Sequence, residues 1–341
     1  MKTAASANQV LPVVRVGEIE SQASAQRWLV EGLWGARSVG VIGGAPKCAK
    51  TWLGLDMALS VATGTACLGK YAVPEPGPVL VYLAEDALPA VRERIEGMAR
   101  HRGLDLSQVE IHVITAPVLR LDRDPDRARL WETARRLRPK LLLLDPLVRL
   151  HGVDENNAGE VAQLLAYFRW LQRQLDLSVL LVHHTRKSAA GGVAAGQGLR
   201  GSSDIHAFGD SNLYLRRSRE HLILSSEHRA APAAATVCLE LVVTDPQTAH
   251  LEVIGELRDG SAKLTVDGKH RSLEQRVLEL LGQGATLTRA KLRDSLGVKN
   301  ERLGEALEAL ERAGRLCRTH AGWQRRNGSL EGGRSRSLQG D

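Results

Sequence analysis

The chain has 341 residues, 43% of them hydrophobic, enough to build one large domain and a small appendage around a buried core. Its 46 Lys and Arg against 39 Asp and Glu leave a net charge of +7, which is compatible with a nucleic-acid partner and too weak to establish one. No charged, apolar and small-residue blocks mark a signal peptide, and no apolar run reaches the roughly 18 residues that span a bilayer, so a cytoplasmic protein without a membrane partner is expected. Cys48, Cys67, Cys238 and Cys317 lack the paired spacing of a zinc site or a disulfide framework and read as reduced bystanders.

Residues 1–23 read as an N-terminal arm. From 24 to 260, apolar runs at 39–42, 79–83, 111–114, 141–144, 179–182 and 213–215 alternate with helical periodicity. That alternation predicts an α/β domain whose central, mostly parallel sheet is covered on both faces. The first run leads into Gly44, Ala45, Pro46, Lys47, Cys48, Ala49, Lys50, Thr51 and Trp52, with a helical pattern from Leu53 onward. The stretch matches the phosphate-binding pattern G-x-x-x-x-G-K-[ST] except that Ala49 stands where the second glycine belongs. A loop of this kind cradles the phosphates of ATP on backbone N–H groups, uses its lysine on the outer phosphates and offers its Thr hydroxyl to Mg²⁺. Ala49 pays a steric cost wherever that backbone needs positive φ, which strains, reshapes or weakens the loop.

Later strand ends carry polar residues where an open α/β sheet binds ligands. Asp145 closes the run 141–144 and suits a Mg²⁺ site shared with Thr51. Glu85 follows the run 79–83, read as one strand over from the phosphate loop, and is the candidate base for the attacking water, with adjacent Asp86 as the alternative. The run 179–182 delivers His183 and His184, of which one can hydrogen-bond a γ-phosphate. The small, uncharged stretch 188–198 reads as a mobile loop, flanked by Arg186, Lys187 and Arg200 as candidate DNA contacts. Arg200, and Arg216, Arg217 and Arg219 after the run 213–215, are guanidiniums that can address a nucleotide, including one on a neighbouring subunit.

From residue 270 the pattern becomes three short helices and a hairpin, a winged helix-turn-helix domain spanning 270–326, followed by a tail at 327–341 that reads as disordered. Fourteen Lys and Arg against nine Asp and Glu after residue 269 favour DNA as this module's partner. Its third helix nevertheless carries Glu301, Glu305, Glu308 and Glu311, so phosphate contact is expected instead from Arg289, Lys291 and Arg293 and from the wing residues Arg315, Arg318, Arg325 and Arg326. Trp323 in the wing reads as core.

The motifs GAPKCAKT, VLVYLAED, LLLLDPLVRLHGVDENNAGEV, LLVHHTRK and LRGSS, in this order, resemble the RecA-like P-loop ATPases of the plasmid RepA hexameric replicative helicase type, over residues 24 to 255. The resemblance implies a ring-forming ATPase in which Glu85 activates water, Asp145 serves Mg²⁺, His184 senses the γ-phosphate, Arg217 or Arg200 supplies the finger, and the segment after Asp145 lies near the subunit interface and central channel. It further implies a homo-oligomer, often hexameric, acting on single-stranded DNA with the replication proteins of a mobile element. The competing reading is an ATP-switched regulator that binds DNA or protein with little unwinding.

Overall fold

A computed structural model describes residues 13–19, 27–155, 157–184, 203–218, 221–245, 248–257, 264–265, 273–282, 285–296, 298 and 300–326. In chain order the regular elements are β1 (Trp28–Val30), β2 (Trp34–Gly35), β3 (Val39–Gly44), α1 (Lys50–Thr63), β4 (Val79–Leu83), α2 (Leu88–His101), β5 (Ile111–Val113), α3 (Asp124–Leu137), β6 (Leu141–Asp145), α4 (Ala158–Leu175), β7 (Ser178–His184), α5 (Ser203–Phe208), β8 (Ser211–Ser218), β9 (His221–His228), β10 (Thr236–Asp245), β11 (Thr248–Leu257) and β12 (Leu264–Thr265). Beyond them come α6 (Leu273–Leu280), β13 (Thr286–Leu287), α7 (Arg289–Leu296), α8 (Asn300–Arg312), β14 (Leu316–Thr319) and β15 (Gly322–Arg325).

The fold is α/β, built on a ten-stranded, mostly parallel sheet in the order β12-β11-β10-β9-β8-β3-β7-β6-β4-β5. Strands β5, β4, β6, β7, β3 and β8 are parallel, and β9 to β12 continue the sheet in antiparallel fashion. The apolar runs form strands because every residue of β3, β4 and β6 is buried, as in a sheet covered on both sides. One face packs α1 and α2 through residues such as Leu53, Leu59, Val91 and Met98. The other packs α3, α4 and α5 through Leu130, Phe168, Leu171 and Ile205. Successive side chains of a strand point to opposite faces. Val81, Leu143, Val182 and Leu215 therefore belong to the α1 side, and Leu80, Leu142, Leu181 and Tyr214 to the other.

Two expectations need correction. The strand before Glu85 is not next to the phosphate loop, because β7 and β6 lie between β3 and β4. Arg216 and Arg217 do not follow a strand but lie inside β8, which runs to Ser218.

Residues 273–326 hold three helices and the three-stranded antiparallel sheet β13-β15-β14. They have a core of their own, with Val277, Leu292, Leu303, Leu307 and Trp323. Glu305, Glu308 and Glu311 of α8 are exposed, as are Arg315, Arg318, Arg325 and Arg326 of the hairpin. Among the described residues no helix is long and apolar enough to cross a membrane. Of the arm, residues 13–19 are described and exposed, and the tail 327–341 lies outside the described residues.

Candidate nucleotide site

β3 ends at Gly44, where a side chain would collide with the Leu215 carbonyl and the Cys48 sulfur, so the first position of the loop has to be glycine. The chain then turns through Ala45, Pro46 and Lys47, all exposed, and enters α1 at Lys50. Lys47 and Ala49 both take left-handed backbone conformations, with φ of 63° and 64°. Ala49 is the N-cap of α1 and has no side-chain cap, which leaves the N–H groups of the first turn facing the loop. Thus the loop keeps the left-handed turn at the position of the missing glycine and bears the strain of an alanine there.

Lys50 is buried, and its ammonium donates to the carbonyls of Gly44 at 2.9 Å and Ala45 at 2.8 Å. Burial lowers its pKa, opposed by the Cys48 thiol and by Asp145. Burial likewise raises the pKa of the Cys48 thiol, against the pull of Lys50 and Arg217. The hydroxyl of Thr51 donates to Asp145 Oδ2 at 2.6 Å, across 94 residues of sequence. Asp145 is only 7% exposed, and burial pushes its carboxyl up to about 6 in spite of Thr51 and Lys50. A hydroxyl and a carboxylate side by side are the hard oxygen donors that Mg²⁺ takes, so this pair fits that ion.

Strand alternation decides which residues face this loop. Glu85 lies just past β4, Asp145 ends β6, and both share the register of the α1-side residues Leu83 and Leu143. His184 pairs with Gly44 in register and shares the parity of Leu180 and Val182, so it lines the cleft. His183, one residue earlier, faces the opposite side and is buried there. Arg217 has the parity of Leu213 and Leu215, and its guanidinium donates to the Lys47 carbonyl at 3.2 Å. The finger read as serving a neighbouring nucleotide thus sits on its own chain's phosphate loop. Arg200, with Arg186, Lys187, Arg219 and the stretch 188–198, lies outside the described residues.

These groups surround a cleft of about 440 Å³. Glu85 Oε1 accepts from Arg149 Nε at 2.8 Å, and Asp86 pairs with Arg94 at 2.8 Å. The Arg94 guanidinium in turn lies 5.6 Å from the Trp52 ring centre, which places Trp52 at the rim of the loop beneath a cation. The far wall was not legible in the sequence: Leu222, Leu239 and Leu241 come from the antiparallel strands. Register explains them, since Arg217 pairs with Leu222 and Leu222 with Leu239 in one cross-strand row. The pairing of Arg94 and Arg149 with the two carboxylates carries no periodic signal in sequence spacing.

Residues 5–190 match the model of a protein family described as AAA domain, more than half of the chain. Among solved structures, the chain is similar to one titled as the crystal structure of the RadB recombinase, with 17% identity and a TM-score of 0.45, covering 61% of this chain and 88% of that one. It is also similar to one titled as a DnaB-like replicative helicase and its interactions with primase, with 14% identity and a TM-score of 0.48. That match covers 63% of this chain and 59% of the helicase chain.

Proposed function

We propose an ATP-dependent function from a fixed premise: the chain belongs to the AAA domain family. It is a RecA-like ATPase that binds and hydrolyses ATP and acts on DNA, as a helicase or translocase of the RepA type. The observation that carries this reading is the Thr51–Asp145 hydrogen bond beside buried Lys50, with Glu85 and His184 brought to the same face of the sheet.

In this reading Lys50 gives up the Gly44 and Ala45 carbonyls to hold the outer phosphates of ATP. Thr51 and Asp145 hold Mg²⁺, which neutralises charge on the phosphates when bound. Glu85 takes a proton from the attacking water once its Oε1 is released by Arg149. His184 donates a hydrogen bond toward the γ-phosphate from the end of β7, and Arg217 steadies the loop in cis. The domain limits are 24–260 for the ATPase and 270–326 for a winged-helix module. The exposed arginines of the β14–β15 hairpin, rather than acidic α8, form that module's DNA contact. The working assembly is a homo-oligomer, a hexameric ring in the RepA reading, on single-stranded DNA in replication of a mobile element.

A second reading, an ATP-switched regulator with little turnover, is favoured by the alanine at φ 64° and by the Arg149 contact on Glu85. Steady-state ATP hydrolysis with and without single-stranded DNA separates the two. DNA-stimulated turnover, abolished by Lys50→Ala and reduced at least 100-fold by Glu85→Gln, is expected, on the order seen when a catalytic group is removed. Tight MgATP binding with negligible turnover in every case moves the assignment to the regulator.

A further inference from the structure

The two flanks of the cleft are joined by one short segment. Its first turn, Leu147–Arg149, presents Arg149 to Glu85 at 2.8 Å. Further on, Glu155 Oε1 lies 3.8 Å from His151 Nε2 and 4.0 Å from His183 Nδ1, with both imidazoles almost completely buried. His183 immediately precedes His184, the residue that lines the cleft. Between these ends the segment is anchored along its length. Leu147 and Leu150 are buried in the core, the Leu150 carbonyl accepts from Leu121 N at 2.6 Å, and Gly152 N donates to the Asp122 carboxylate at 3.0 Å. The segment between the two ends is thus packed into the core and hydrogen-bonded at Leu150 and Gly152.

We infer that residues 147–155 form a strap that sets Glu85 and the end of β7 together, with Arg149, His151, Glu155 and His183 as positioning residues. None of the four needs to touch the nucleotide. Arg149 holds Glu85 by its Oε1, and Glu155, whose Oε1 lies within 4.0 Å of both His151 and His183, packs against the strand end from which His184 projects. The strap rests on the ATPase reading for its purpose, and its existence can be tested apart from it.

Arg149 is largely exposed, so Arg149→Ala removes one end without emptying the core. In full-length protein carrying ¹⁵N-labelled histidine, this change is expected to move the imidazole signals of His183 and His184, assigned with His183→Gln and His184→Gln, while leaving exposed His112 and His320 in place. Arg149→Lys should restore most of the shift. In turnover, Arg149→Ala and Glu155→Gln should each change kcat at least about fivefold with KM for MgATP moved less than about twofold, and the double variant should go no further than the larger single effect. Unmoved His183 and His184 signals, or effects on kcat that simply multiply, overturn the strap. Absence of hydrolysis in the unsubstituted protein overturns the ATPase reading instead, and the histidine signals then decide the strap alone.

Discussion

Ala49 is the residue at which sequence pattern and backbone geometry meet. A left-handed conformation costs an alanine side chain energy that glycine does not pay, and the loop adopts it regardless, with φ 64°. The surrounding structure compensates. α1 is buried along most of its length, and Ala49 itself packs against the α1-side core. Replacing Ala49 by Gly should therefore stabilise the nucleotide-free protein by about 1 kcal/mol, measured by urea unfolding. An unchanged or lower midpoint would mean that the alanine methyl contributes more by packing than it costs in backbone strain.

At the scale of elements, α2 is clamped to the α1 side of the sheet by polar contacts. Arg102, just past its end, pairs with buried Asp56 of α1 at 2.6 Å, and Arg100 donates to Thr248 of β11 at 3.2 Å. His101 stacks on His250 of β11, ring centres 3.5 Å apart. Burial first, and the neighbouring His101 second, push the His250 pKa down to about 4, so the folded protein holds this imidazole neutral. The unfolded chain takes up a proton near pH 6.5 and the folded one only near pH 4, so the stability is present above pH 6.5 and is lost as pH falls between those values. The loss should reach roughly 2–3 kcal/mol by pH 4.5. Urea unfolding of the unsubstituted protein and of His250→Phe, compared at pH 7.5 and 4.5, checks it. Equal pH dependence in the two proteins would remove His250 as the cause.

These same elements show what could be read in advance. The strand 79–83 appears at its expected limits, because hydrophobic pattern and turn residues are local. Strand order is not local. β3 takes β7 and β8 as neighbours from more than 130 residues away, which separates Glu85 from the loop by two strands. Once the order is known, alternation alone assigns His184 to the cleft and His183 to the far face, a choice the dipeptide could not make. The Arg149–Glu85 contact spans 64 residues and depends on how a loop crosses the sheet edge, so no spacing announces it.

For the whole molecule, the arrangement of cores carries the next consequence. The two clusters flanking the large sheet draw their residues from positions 29–253, whereas the third draws only on 273–323. Separate cores imply separate cooperative units. Leu307 of α8 is buried in the third cluster, and truncating it leaves a cavity worth about 2–5 kcal/mol, enough to unfold a unit of this size. Leu307→Ala should melt the C-terminal unit, seen as an early loss of helical signal in a thermal scan, while MgATP affinity stays within about twofold of the unsubstituted protein. DNA binding should weaken together with that early transition if the exposed hairpin arginines make the contact. A single transition shifted as a whole, with nucleotide affinity lost alongside it, would instead show that the two units fold as one.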